Sequence, residues 1–153
     1  MKKSAITLTA MAALLSATYV QAFGELNRWS TGWGQGVTEY VAVNSNGDEL
    51  YIACDPYSPV SMSLTVGERS YGANSGGGFS LLIDGQEIQH PYETDSRVGS
   101  NTFYYAWEAL RRANSIIAVT GDGTRVELPS KGSAKALDST ESPAFPCTTG
   151  FDL

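Results

Sequence analysis

Val60, Met62, Leu64 and Val66 alternate with Ser61, Ser63 and Thr65, and no other stretch of the chain restricts the fold as tightly. A strand sends successive side chains to opposite faces, so this run has one face to bury and one to leave wet. It requires a sheet that is covered on one side.

The flanking residues supply the rest of such a sheet. Val37 to Val43 is rich in β-branched and aromatic residues, as strands are. An Asn46-Gly47 turn leads to Leu50, Ile52 and Cys54, which alternate with Tyr51 and Ala53. Asp55 to Pro59 then breaks the strand, and Gly72 to Gly78 predicts a flexible loop. Phe79 to Ile83 and Gln86 to His90 flank Asp84-Gly85, a hairpin signature. Ser115 to Thr120 and Thr124 to Leu128 flank a turn at Gly121 to Gly123.

One helix interrupts the strands. Phe103, Ala106, Trp107, Leu110 and Ala113 fall on one helical face. Ser100 is the expected cap, Arg111 and Arg112 complement the dipole in the last turn, and Asn114 suits a left-handed exit. A short helical turn is expected around Ser133 to Leu137, and a tail carrying Pro143 and Pro146 ends at Cys147. Phe23 to Gly36, rich in Gly and Trp, has no periodicity, so an ordered arm and a loose leader both remain open. The sum is six or seven strands and one amphipathic helix. It predicts a mainly β fold, an antiparallel β-sandwich or an open barrel with the helix packed on it.

Met1-Lys2-Lys3, an apolar run from Ala5 to Leu15, and Val20-Gln21-Ala22 have the layout of a secretory signal peptide cleaved after Ala22. Residues 23–153 are then expected to form one exported domain, resident in the periplasm or released outside the cell. No later segment has the roughly 20 apolar residues of a membrane-spanning helix, so no membrane insertion is expected after cleavage. Cys54 and Cys147 both lie in the exported part, where two cysteines in one small domain are expected to pair. The leader takes Lys2 and Lys3 with it, leaving 8 basic against 16 acidic residues, a net charge of −8. That balance disfavours nucleic acid and anionic lipid and favours solubility or a basic partner.

The chain is poor in catalytic patterns. His90 is the only histidine, so no metal site of the usual kind, and no cofactor, is expected. Ser75 lacks the Gly-x-Ser-x-Gly elbow of a serine hydrolase, and Gly76-Gly77-Gly78 lacks the Lys-Ser/Thr of a phosphate loop. Asn44 to Glu49 is oxygen-rich but fails the spacing of an EF-hand loop. Aromatic residues are more suggestive, because Tyr and Trp bury much area at low entropy cost. Tyr57, Tyr71 and Tyr92, with the carboxylates Glu93 and Asp95 beside the last, are the expected recognition residues.

A strand ending in Cys54, the alternating strand, an Ile83-Asp84-Gly85 hairpin, a helix with Phe103 and Leu110, a Gly132-Ser-Ala-Lys-Ala136 segment and a closing Cys147 follow in that order. Over about residues 48–147 this order resembles small periplasmic proteins that accompany type VI secretion clusters. It is similar, more distantly, to invasion-associated locus B proteins. The resemblance implies a β-sandwich closed by the two cysteines and an exported binding or accessory role. It brings no catalytic residue with it.

The expected function is therefore recognition of a protein partner in an envelope, secretion or conjugation system, not catalysis. One version is a periplasmic inhibitor or immunity protein of a cell-wall hydrolase, with Tyr92, Glu93 and Asp95 entering the enzyme's cleft. A small envelope hydrolase using His90 and Glu93, and a structural subunit of an envelope assembly, are the alternatives. The oligomeric state is left open.

Overall fold

The computed structural model describes residues 23–153, so the leader expected at residues 1–22 lies outside the described residues. Among the described residues nine strands and two helices follow one another. They are β1 (Arg28–Gly34), β2 (Val37–Val43), β3 (Glu49–Asp55), β4 (Ser58–Val66), β5 (Arg69–Gly72), β6 (Phe79–Ile83), β7 (Gln86–Gln89), α1 (Arg97–Arg112), β8 (Ile116–Thr120), β9 (Arg125–Leu128) and α2 (Ser133–Ala136). The strands form two antiparallel sheets, a five-stranded meander in the order β1-β2-β3-β4-β5 and a four-stranded sheet in the order β7-β6-β8-β9.

The alternation in β4 is realised as expected: Val60, Met62 and Leu64 are buried. They join Leu50, Ile52 and Cys54 of β3, Tyr40 and Ala42 of β2 and Trp29 of β1 in one core. The second sheet contributes Phe79, Leu81, Ile83, Ile116, Ala118, Val126 and Leu128 to the same core. Three links place β9 across the ends of the five strands rather than along them. Arg69 of β5 lies 3.7 Å from Asp122 in the β8–β9 turn. The Asn44 amide, in the β2–β3 turn, donates to the Glu127 carbonyl (3.0 Å), and the Trp29 indole N–H donates to the Pro129 carbonyl (2.8 Å). The sheets thus cross steeply, as in an orthogonal sandwich.

Helix α1 continues the second layer beside β7, where the Tyr105 hydroxyl donates to Gln86. Its buried face of Phe103, Ala106, Trp107 and Leu110 is the one the periodicity predicted. Trp107 meets Tyr40 of the other sheet edge-on, with ring centroids 4.9 Å apart, and Phe145 from the tail in a similar way at 5.2 Å. The cap is Ser96, one turn earlier than expected, whose side chain accepts the Gly99 N–H. Ser100 is instead buried and donates to Asp152. The helix leaves through an extended Ala113, not a left-handed Asn114. The reason is local: the Asp84 carboxylate accepts the N–H groups of both Asn114 and Ser115, which draws the chain straight into β8.

Two strands were invisible to periodicity. The Gly/Trp-rich stretch left open as arm or leader forms β1 and turns into β2 through Gln35-Gly36, both at positive φ, the geometry of a tight hairpin. The Arg69–Gly72 strand is only four residues long. The disulfide forms between Cys54 of β3 and Cys147, 93 residues apart, and both sulfur-bearing residues are buried.

Candidate functional site

The site begins where a ladder stops. β4 pairs with β5 only from Val66 to Ser63, and the last pair is Ser63 with Gly72. Gly72 has φ of +139°, and a Cβ there would come within 2.8 Å of the Met62 carbonyl, so glycine alone fits. Its N–H bonds the Gly77 carbonyl, and the Ser75 hydroxyl donates to the carbonyls of Gly72 and Gly77. The stretch expected to be a flexible loop is thus a turn closed by its own hydrogen bonds, and it carries the chain away from β4.

An open groove of about 940 Å³ fills the gap. One wall is Pro59 to Ser63 of β4 with Tyr51 of β3, the second is Ser70 to Ser75, and the third is Tyr92 to Ser96. The third wall is held at both ends. Ser96 caps α1, and buried Thr94 is tied to the tail, where Phe151 N–H donates to its carbonyl (2.9 Å) and Gly150 N–H to its hydroxyl (3.2 Å). Glu93 and Asp95 alternate with Thr94 and are exposed. No lysine or arginine lines the groove.

Four of the five expected recognition residues therefore meet: Tyr71, Tyr92, Glu93 and Asp95 line this one groove. Tyr57 does not. It sits 89% exposed in the β3–β4 turn, where its N–H bonds Asp55. The two converging tyrosines are not the exposed loop aromatics expected of them. Tyr71 is in β5 and only 8% exposed, and Tyr92 is 7% exposed, its ring 4.9 Å from Phe79. They line the groove from within its walls and belong to the core. Burial, with Glu93 nearby, raises the Tyr92 phenol above its ordinary value, against the pull of the Phe79 N–H. Tyr51, Ser61 and Ser63 were missed. Their signal was the wet face of the clean alternation, which places Tyr51 directly across from Ser63. The Tyr51 hydroxyl donates to Glu39, and burial together with Glu39 and Glu49 pushes its pKa up to about 12, so it stays a neutral donor.

His90 adjoins the groove at positive φ, with Nδ1 3.5 Å from Glu93 Oε1, and both side chains are more than half exposed. The pair is close, but no other side chain among the described residues hydrogen-bonds the imidazole. A catalytic base is normally oriented by such a third group. No group of three or more His, Cys, Asp or Glu side chains among the described residues is arranged to hold a metal ion. A second hollow of about 730 Å³ lies at the far end beside β9, spanned by the Asn44–Glu127 bond.

The YfjT family model matches residues 27–137, a span that includes every wall of the groove and stops short of Cys147. No curated protein and no solved structure matches the chain.

Proposed function

We propose that this chain, a member of the YfjT family, is an exported interaction protein that recognises a protein partner through the β4–β5 groove. The convergence of Tyr71, Tyr92, Glu93 and Asp95 on one groove carries this reading. Tyr71 and Asp95, 24 positions apart in sequence, meet there, on walls fixed by hydrogen bonds to the tail and the helix cap. Protein interfaces combine aromatic residues with a polar, solvent-accessible rim, and this groove has both. The leader-like first 22 residues and the disulfide support a periplasmic setting. The resemblance to secretion-associated periplasmic proteins supports a partner within an envelope or secretion machine. A basic cell-wall hydrolase is one such partner, and the groove's carboxylates suit it.

Photo-crosslinking in whole cells tests the reading. A photoreactive residue placed at Ser61 is expected to trap one protein, and the same residue at exposed Glu68, in the β4–β5 turn, is expected to trap none. No adduct from Ser61, or the same adduct from both positions, overturns it. One observation favours a second reading, a small envelope hydrolase: the 3.5 Å approach of His90 and Glu93. That reading requires cleavage of envelope polymer by the wild type and its loss in His90→Ala; retained cleavage removes it.

A further inference from the structure

The far half of β1 is a bare sheet edge. Trp29 N–H is spent on the Lys131 carbonyl, on the side away from β2. The β1–β2 register runs unbroken to Gly34, so alternation points the backbone groups of Thr31 and Trp33 outward too. Among the described residues, neither the N–H nor the C=O of these two makes a hydrogen bond beyond the ladder. An aromatic ring flanks this edge on each face. Trp33 is 75% exposed. Phe23, 42% exposed, lies over Gly32 on the opposite face, where a Cβ would come within 2.5 Å of its ring. Proteins normally protect an open edge with charge, proline or a bulge, and Thr31 to Gly34 has none of these.

Charge and length choose the occupant. Residues 23–153 hold 8 basic and 16 acidic residues, so two copies repel one another over most of their surface. The free edge is neutral. Glu25 and Arg28 beside it pair with each other at 3.2 Å, and Glu39, across from Gly32, accepts the Tyr51 hydroxyl. Lys135 of α2, which lines a hollow with Thr31, opposes the chain's negative surplus here. Antiparallel pairing of β1 with itself about a two-fold axis at Gly32 sets Thr31 opposite the second copy's Trp33, so every outward N–H and C=O finds a partner. Gly32 then meets Gly32 on the axis, and the Phe23 rings that cover both glycines come together. The second copy's hairpin turns back at Gln35-Gly36, opposite Trp29, where Lys131 already holds the edge. The free length thus matches the chain's own hairpin. We infer that β1 pairs edge to edge with β1 of a second copy, joining the two five-stranded sheets across that axis. β1 and the groove lie toward opposite edges of the sheet, so this does not depend on the partner read at the groove.

The test is sedimentation of the purified protein over a concentration series, with hydrogen exchange followed in parallel. The contact is small beside the roughly 800 Å² per partner of a standard interface, so a reversible monomer–dimer equilibrium is expected. Exchange at the Thr31 and Trp33 amides should slow as the dimer forms. Trp29 and Trp107 are buried, so a blue shift of the emission with concentration would report Trp33. Thr31→Lys brings like charges close to the axis from an exposed position. It should weaken the dimer at least about tenfold and leave the denaturation midpoint unchanged. A monomer up to the limit of solubility overturns the inference. So does a dimer whose Thr31 and Trp33 amides exchange as freely as the monomer's, or one that Thr31→Lys leaves intact. If Thr31→Lys lowers the midpoint, Trp33→Ala decides in its place, because it removes only an exposed ring from the same pair; undiminished dimerisation there overturns the inference as well.

Discussion

At the start of β1 the five-stranded sheet ends against the rest of the chain. Trp29 is buried, its N–H donates to the Lys131 carbonyl and its indole to the Pro129 carbonyl, and α2 packs alongside. At β5, on the opposite edge, the ladder stops after four pairs and leaves hydroxyls, carboxylates and open backbone. Both are edges of one sheet and face the same solvent. A bare edge invites unwanted pairing, so a protein normally covers it or keeps it short and charged. Here the first remedy is used at the start of β1, around Trp29, and the second at β5. A covered edge serves stability alone, whereas a short charged one remains available to a chosen partner.

Removing the staple between the two halves should have the largest effect. Cys54→Ser with Cys147→Ser opens a 93-residue separation and is expected to cost about 4 kcal/mol by chain entropy, read as the denaturation midpoint. It also frees the tail that anchors Thr94, so the groove should loosen before the β1 edge does, seen as faster hydrogen exchange at residues 92–96. Trp29→Ala attacks the closed edge directly and should cost about 3 kcal/mol in lost burial. Trp29→Phe, which keeps most of the ring but orphans the Pro129 carbonyl, should cost about 1 kcal/mol. If Trp29→Ala were no worse than Trp29→Phe, the covered edge would owe its order to something other than packing.

Gly72→Ala tests the open edge. A side chain at φ +139° facing the Met62 carbonyl at 2.8 Å is expected to cost about 2 kcal/mol and to shift the β4–β5 turn. Acid sharpens the contrast from the closed side. Burial disfavours the Glu108 charge, but the Thr140 N–H, Arg112, Arg111 and the Thr140 hydroxyl outweigh it and bring its pKa down to about 2. A carboxyl depressed in the folded state gives stability that is fully present above its ordinary value near 4.5 and is lost as pH falls from there through about 2. One of its partners, Arg112, is exposed, and screening there holds the gain to about 1 kcal/mol. Glu108→Gln should therefore flatten the acid limb of a stability-against-pH curve in that window and leave stability above pH 6 lower by that amount.

How much of this was legible depends on the range of the interactions involved. Asp84-Gly85 was legible because a two-residue turn is decided by those two residues, and both adopt positive φ. The face of α1 was legible because Phe103 to Leu110 carry the periodicity themselves. Its first turn was not: Arg97-Val98-Gly99 has no apolar period, and the choice of Ser96 over Ser100 is settled by Thr149 and Asp152 binding Ser100 from some 50 residues away. β1 was illegible for the same reason, since Trp29 is ordered by carbonyls 100 residues on. In the site, Glu93 and Asp95 were found through their proximity to Tyr92 in sequence. Tyr51, Ser61 and Ser63 were hidden because nothing in β4 itself announces that β5 ends early.

The smallest effect on stability is the one that separates the two edges most sharply. Glu93 and Asp95 are exposed, Asp95 makes no hydrogen bond among the described side chains, and Glu93 meets only the half-exposed His90. Replacing them with Gln and Asn removes two charges and little else, so the unfolding free energy should move by no more than about 0.5 kcal/mol. At the β1 edge a change that small would be felt nowhere. At the β5 edge it should abolish partner crosslinking from Ser61, because the two carboxylates are the only charges among the groove's lining residues. A double variant that unfolds early would move these carboxylates into the architecture, on a par with Glu108. One that keeps both its stability and its partner would make the open edge merely unfinished. Unchanged stability with lost crosslinking is the result expected if this edge was left open for use.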